Sequence, residues 1–533
     1  MSHVFITRSD IRGFECDDLL LPSDRIGCIL SSFWDDRRDD ALKSAGAVRD
    51  YAWDSGLDLS KKPRGFIPVP VQGLPRAWFG WVGQHGVELD WYIERARGFV
   101  DAVMDSEKPD VRNGRAKRLL ALPLVGTGAG GGHDTAGAIL EMLLPALEES
   151  ARRHDVDIAL VCWSEADFSA AQACRRRLTG GIDPWSELGE AAEAKAKALA
   201  ADAVAGNLVV FFGAGLGISS GLPPWRGLLA KLMSMAGIDD EEADSLRCWS
   251  NLDQAQYLER AFRERKRRGL ADAVVELLER NDSANLLATY LANLPVDGYI
   301  TTNYDMIFER ASRAIGLEPA VLPYEPSKER RRWLLKMHGC VRYPKDIVLT
   351  RRSYNRYYER NQALAGIVQA MLITKRMLFV GFSLGDENFL KIVDTVHEAI
   401  HPQEATGPEK DHEVDLGTAI LLRPDKLLAR HWAAELDLVC PGAEAGSDTE
   451  ASRILEIFFD YLVHLTASAS HLLEPRFVDV LDEGERRLAE ALRGVRAAMD
   501  GLEDEGLRAA TASLLSRFGG LDYSDKKRVK RHY

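Results

Sequence analysis

Apolar residues fall in two rhythms along this chain. Some form short runs bounded by glycine, proline or polar clusters; others recur three or four positions apart over longer stretches. The short runs read as strands. Early in the chain they cover residues 4–7, 19–21, 119–125 and 158–163, and the prolines at Pro68 and Pro70 keep 68–71 extended. Helical spacing covers 91–104 and 135–153, where Leu140, Leu143, Leu144 and Leu147 share one face and Pro145 is a kink point. Strand, glycine-rich loop, helix and strand follow one another from 119 to 163, the grammar of an α/β domain.

An Ala, Glu and Lys-rich stretch over 188–205 reads as a connecting helix. Beyond it the apolar run 208–212 enters a glycine turn, Gly213, Ala214, Gly215 and Gly217, and residues 227–294 are helical in pattern. Further runs begin at Tyr299, Trp333, Leu378 and Leu416, each reading as a strand of a parallel sheet. Two amphipathic helices over 477–499 and 507–518 end the patterned part, with Leu481, Leu488 and Leu492 on one face. The expected architecture is α/β throughout. An α/β domain fills 1–185, a Rossmann-like parallel-sheet domain 186–466, and a helical region with a basic tail (Lys526 to Arg531) 467–533.

Composition narrows the class. With 533 residues, 46% hydrophobic and 28% charged, the chain supports several globular cores. A net charge of -13 argues against nucleic acid held by a global field. The basic run Arg263, Arg265, Lys266, Arg267 and Arg268 reads as a solvated helix face. Seven cysteines without one C-x-x-C pair argue against a zinc ribbon and against a disulfide framework. No opening signal segment and no membrane-length apolar run is seen, so a reducing, cytoplasmic location without membrane contact is expected.

Candidate chemistry sits where strands end. Glycines leaving the strand 208–212 allow close backbone approach to a pyrophosphate, although any tight strand-to-helix turn uses them too. Asn303 and Asp305 follow the strand at Tyr299, and His338 ends the one at Trp333. On spacing alone the first two serve equally as helix caps, and a lone histidine is more often structural. In the first domain Gly126, Gly128 and Gly131 match G-x-G-x-x-G, and no Lys-Ser or Lys-Thr follows, so this is not an ATP-type P-loop.

Four motifs in order, GAGLGISSGLPPWR from Gly213, TTNYD from Thr301, KMHG from Lys336 and VGFSLGDENF from Val380, resemble the sirtuin-like superfamily. The resemblance implies NAD as substrate. Gly213, Ala214 and Gly215 would cradle its pyrophosphate, with Ser219 and Thr302 beside it, and Gly381, Ser383 and Asp386 would lie against adenosine. Arg226 would belong to a loop closing over nicotinamide, Asp305 would hold the carboxamide, Asn303 would order water, and His338 would act as base. Two departures matter. The lysine deacylases' aspartate is Pro224 here, and their paired C-x-x-C zinc module is missing, so no zinc is expected. The chain resembles instead the zinc-free branch found in bacterial anti-phage effectors such as those of Thoeris, which hydrolyse NAD.

The first domain is similar to a macro domain in FITRSDIRGFECDDLLLPSD, from Phe5, and ALPLVGTGAGGG, from Ala121. That likeness implies an ADP-ribose-like ligand held by Asp10 and by Gly126, Thr127, Gly128, Ala129 and Gly130. The family's Asn-Ala-Asn is Pro22-Ser23-Asp24, which points to sensing rather than hydrolysis; a scaffold that binds nothing is the plain alternative. Together the two likenesses imply an NAD+ glycohydrolase that acts as a regulated NAD-depleting defence effector, and the helical ends point to a homo-oligomer. The competing readings are a protein deacylase or ADP-ribosyltransferase and a non-catalytic NAD or ADP-ribose sensor.

Overall fold

The apolar runs of the sequence end in two large sheets, one in each of two units. The computed structural model describes the chain except residues 51–55, 108, 179–182, 267, 280–282, 327–329, 401–414, 500 and 520–533, and the side chain of Tyr358. Arg267 and the basic tail from Lys526 to Arg531 lie outside the described residues.

The first unit comprises Met1–Glu187, Ala314–Gly316 and Val463–Tyr533. Its strands are β1 (Val4–Arg8), β2 (Asp18–Ser23), β3 (Cys28–Ile29), β4 (Val48–Arg49), β5 (Phe66–Val69), β6 (Arg76–Trp81), β7 (Leu119–Pro123) and β8 (Asp157–Cys162). The large sheet has the order β1-β8-β7-β2-β6-β5. Its pairs are parallel except β5 with β6, while β3 and β4 pair separately. The pattern of apolar positions does not announce β6. Its sequence RAWFGW starts on an arginine and has a glycine that leaves room for the Phe66 ring across the strand pair. The helix Ala136–His154 runs through Pro145.

The segment from Val463, read from sequence as a helical region of its own from 467, is part of this unit. Polar contacts and close packing hold it there. The Ser169 hydroxyl bonds the Ser468 carbonyl at 2.5 Å and His471 Nδ1 at 2.7 Å, and Arg476 pairs with Asp167 at 2.8 Å. Gly137 leaves space for Val480 against the helix Ala136–His154. Leu473, Leu481, Leu492 and Leu515 form a small core around these joints.

The second unit comprises Leu188–Arg313 and Leu317–Leu462. Its strands are β9 (Leu208–Phe212), β10 (Gly298–Thr301), β11 (Ala320–Leu322), β12 (Trp333–Lys336), β13 (Arg376–Val380), β14 (Gly417–Ile420) and β15 (Leu436–Val439). Every pair is parallel, in the order β11-β12-β10-β9-β13-β14-β15. β9 is wholly buried and β13 nearly so, which is why they read as continuous apolar runs rather than alternating ones. β11 has three residues, and β15 carries an exposed aspartate among its four, so neither stands out by pattern. Phe211, Phe379, Phe382 and Phe389 pack as one aromatic group, with ring centroids 4.5–6.2 Å apart. They join β9 and β13 to the helix Glu387–Ile400, and burying each ring is worth about 1.5–3 kcal/mol.

The helical stretch after β9 resolves into Trp225–Ala236, Asp240–Leu246, Asn251–Ala261, Leu270–Leu278 and Leu286–Asn293. Its basic run is matched to acids on the surface: Arg263 to Glu259, Arg265 to Glu242 and Arg268 to Glu276. Among the described residues no helix is long and apolar enough to cross a membrane.

His471 makes the first unit sensitive to acid. Burial, with Arg176 and Arg177 nearby, pushes its pKa from 6.5 down to about 4, and Glu485 at 3.8 Å from Nε2 does not offset this. The unfolded chain therefore binds a proton that the folded one refuses. The stability is fully present above pH 6.5 and is lost as pH falls toward 4, by about 2 kcal/mol at pH 5. Calorimetric melting at pH 7.5 and pH 5 is expected to show a smaller acid loss for His471→Gln than for the wild type. An equal loss would show that this histidine does not carry the effect.

Candidate functional site

Because β9, β10, β12 and β13 are adjacent and parallel, their carboxyl ends meet at one edge of the sheet. Strand order reverses there. The chain leaves β9 toward β10 on one side and later returns to β13 on the other, which is where open α/β sheets bind ligands. The loops after β9 and β13 cross in backbone contact. A Cβ on Gly213 would lie 2.6 Å from the Gly381 carbonyl oxygen, and one on Gly215 would lie 2.6 Å from Gly381 Cα. Gly381 itself has φ +59°.

This crossing changes what the glycines do. The Gly213 and Gly215 N–H groups donate to the Val380 and Gly381 carbonyls at 3.0 and 2.9 Å, so these two donors are spent inside the protein. Among the described residues the Ala214 N–H has no such partner, and Ala214 is exposed on the cleft. The turn's glycines are required first for the approach of two backbones.

The cleft at this edge has a volume of about 590 Å³, within the usual range for small-molecule sites of about 300–1,000 Å³. Ala214, Gly215, Arg226, Thr302, Asn303, Asp305, His338, Gly381, Ser383 and Asp386 all line it. Gly213 lies beneath, its carbonyl accepting from Asn303 Nδ2 at 3.0 Å. Ser219 is outside the lining, at the end of the short helix Gly215–Ile218. Its neighbour Ser220 is buried and accepts from Asn285 at 2.8 Å.

Each central side chain is oriented from behind. The Thr301 hydroxyl donates to the Phe212 carbonyl at 2.8 Å and accepts from the Asn303 N–H at 3.0 Å. Asn303 Oδ1 has no partner among the described residues. Asp305 caps the helix Ile307–Ala314 through one oxygen, which accepts from the Ile307 N–H at 3.0 Å. Beneath it Lys336 and Glu309 form a buried ion pair at 2.8 Å. Burial opposes the charge on Lys336, but Glu309 together with Cys340 and Asp305 outweighs it and raises its pKa. The ammonium also bonds the carbonyls of Tyr304 and Asp305, tying down the loop that carries Asn303 and Asp305.

His338 is buried on the cleft wall. Tyr354 OH lies 3.3 Å from its Nδ1 and donates to Asp386 Oδ2 at 2.8 Å. Asn388 Nδ2 lies 3.4 Å and Asp386 Oδ1 3.6 Å from its Nε2. Burial lowers the His338 pKa, with Asp386 pulling the other way. On the rim, Arg351 bonds Ser250, Asp253 and Glu387, holding the start of the helix Asn251–Ala261 to the start of the helix Glu387–Ile400.

Sequence reasoning missed Tyr354, Asn388, Lys336 and Glu309. Lys336 carries a signal, a charge inside an apolar strand run; Tyr354 lies in a polar stretch with none.

In the first unit, Asp10 and the loop 126–132 follow the carboxyl ends of β1 and β7, with β8 between. Asp10 is engaged by Arg12 at 2.6 Å and caps the turn Ile11–Gly13. Gly126 and Gly132 leave room for the Tyr92 ring, Gly130 approaches Gly126, and Thr127 Oγ1 donates to the Leu124 carbonyl at 3.0 Å. Gly128 and Ala129 are exposed, and a side chain at Gly128 would meet nothing within 4 Å.

Residues 297–436 match the SIR2-like domain family. The chain is 30% identical over 195 residues to "NAD(+) hydrolase ThsA" of Cytobacillus dafuensis, covering 36% of this chain and 38% of that one. It is 30% identical over 200 residues to the protein of the same name from Bacillus cereus (strain MSX-D12), 36% and 40% respectively. It is 25% identical over 202 residues to "Defense-associated sirtuin 2" of Bacillus subtilis, 36% and 19%. The matched stretch thus spans about two fifths of the length of the NAD(+) hydrolases. Among the described residues no group of three or more His, Cys, Asp or Glu is placed to hold a metal ion.

The buried pair under the site generates a stability test. Lys336→Met strands the Glu309 carboxylate in the interior and is expected to cost about 3–5 kcal/mol in denaturant unfolding. The double variant with Glu309→Leu should recover part of that loss. A Lys336→Met protein as stable as the wild type would show that the pair does not anchor the loop.

Proposed function

We propose that the second unit hydrolyses NAD+ to nicotinamide and ADP-ribose, and that the chain is a regulated NAD-depleting effector of anti-phage defence. The observation that supports this reading best is the convergence of Asn303, Asp305 and His338 on one cleft at the strand-order reversal. The names of the relatives favour the same chemistry.

The reaction breaks the bond between ribose C1′ and the nicotinamide nitrogen. Nicotinamide leaves neutral, taking the bond's electron pair, so no acid is required. Water adds to the oxocarbenium-like C1′ and gives up one proton. His338 accepts that proton, and Asn303 Oδ1, without a partner among the described residues, orders the water. The free oxygen of Asp305 binds the carboxamide, and the Ala214 N–H faces the phosphates. Burial holds His338 below the ordinary imidazole value, which favours the neutral, proton-accepting ring.

Purified protein incubated with NAD+ should yield nicotinamide and ADP-ribose by mass spectrometry, unchanged by an acyl-lysine peptide. His338→Ala and Asn303→Ala should each lower the rate about 10²–10⁴-fold, with the double variant little worse. Melting temperatures should stay close to wild type. Near-normal cleavage by a folded His338→Ala protein would sink the mechanism.

For the first unit we propose binding of an ADP-ribose-like signal, with its phosphates at the exposed Gly128 and Ala129 ahead of the helix Ala136–His154. Calorimetry of the full-length His338→Ala chain with ADP-ribose should resolve a binding event that Gly128→Glu abolishes by charge repulsion. The same heat in both proteins would leave this unit as a scaffold.

A further inference from the structure

The contacts around His338 settle more than its position. A carboxylate oxygen only accepts hydrogen bonds, so the 2.8 Å contact from Tyr354 to Asp386 Oδ2 uses the one hydroxyl proton of Tyr354. Toward His338 the same hydroxyl then has only lone pairs to offer, and Nδ1, 3.3 Å away, must carry the proton. A neutral ring protonated on Nδ1 has a lone pair on Nε2. Asn388, buried like His338, presents its amide Nδ2 to that nitrogen at 3.4 Å, a donor facing an acceptor. The same Nε2 lies 3.6 Å from Asp386 Oδ1, so a proton arriving there meets a carboxylate.

We propose that Tyr354, held by Asp386, is a positioning residue that fixes His338 in the Nδ1–H tautomer and reserves Nε2 as the base. The tautomer follows from the geometry by itself; its effect on turnover rests on the NAD+ hydrolysis reading.

The arrangement divides the work of Asp386. One oxygen, Oδ2, orders Tyr354 and through it the ring. The other, Oδ1, accepts from the Asn388 and Phe389 N–H groups at 3.1 and 3.0 Å and stands ready to balance an imidazolium. Those two bonds lock the carboxylate in place at the start of the helix Glu387–Ile400. Burial, and Asp386 after it, raises the Tyr354 pKa well above its ordinary value, so the hydroxyl keeps the proton it donates. Tyr357, edge-on to the ring with centroids 5.8 Å apart, closes another side of His338.

The test reads the tautomer directly. The full-length protein labelled with ¹⁵N in its histidine rings is compared by long-range ¹H–¹⁵N correlation with His338→Gln, which identifies the His338 signals. Wild type should show a protonated Nδ1 and a bare Nε2. Tyr354→Phe removes the acceptor at Nδ1 and should move the proton toward Nε2, where Asp386 Oδ1 accepts it. Asp386→Asn keeps a capping oxygen but presents an amide donor to Tyr354. The hydroxyl must then donate to Nδ1, so this variant too should switch to Nε2–H.

Both variants should lose kcat by about 10²-fold or more with little change in KM, at unaltered melting temperature. A wild-type His338 carrying its proton on Nε2, or variants that keep the wild-type tautomer, would overturn the proposal. A tautomer that switches as expected in proteins inert toward NAD+ would uphold the positioning role and refute the hydrolysis reading.

Discussion

The second unit depends on two loops passing each other at backbone contact. Gly213 and Gly215 after β9 touch Gly381 and Phe382 after β13, and their N–H groups bond the Val380 and Gly381 carbonyls. Side chains at these glycines would push the strand ends apart. Everything polar in the cleft is referenced to this joint. Asn303 hangs from the Gly213 carbonyl, Thr301 from that of Phe212, and Asp386 follows within a few residues of Gly381. The aromatic group of Phe211, Phe379, Phe382 and Phe389 lies under the same joint, with the Phe382 ring against Gly213.

Behind the cleft, two buried polar systems hold what the backbone cannot. Lys336 and Glu309 form a paired charge whose ammonium gathers the carbonyls of Tyr304 and Asp305. Such a pair gains little net stability over an apolar packing, but it is costly to break and it specifies one loop conformation. Asp386, Tyr354 and Asn388 do the same for His338 through hydrogen bonds that leave the ring little freedom. In both cases the groups lining the cleft are aimed by side chains packed and hydrogen-bonded around them, which is how a site gains precision.

The first unit shows how similar sequence features acquire different structural meaning. Its glycines at 126, 130 and 132 answer to local packing, around Tyr92 and one another, while Gly128 alone stands open. Asp10, a candidate ligand contact on sequence grounds, is engaged by Arg12. The segment after Val463 joins this unit because His471, Ser169, Asp167 and Arg476 form specific polar contacts across a chain separation of about 300 residues, as in the Ser169 to His471 bond. No local pattern encodes such a partnership.

Elements whose signal is local can be read from the order of residues alone. β9 is apolar throughout because both faces are covered, so its run stands out and its bounds are read from the chain alone. The motifs carrying Asn303, Asp305 and His338 were equally legible, since each sits at a strand end marked by a change from apolar to polar residues. β6, β11 and β15 were not legible, being too short or too mixed for a period to show. Which N–H groups of the glycine turn are already spent emerges with the fold, because that depends on Val380 and Gly381, more than 160 residues away. The fold alone brought Tyr354 to His338 and Glu309 to Lys336. Those contacts are made by folding elements against each other, and a hydrogen-bond partner leaves no mark on the periodicity of the residues that flank it.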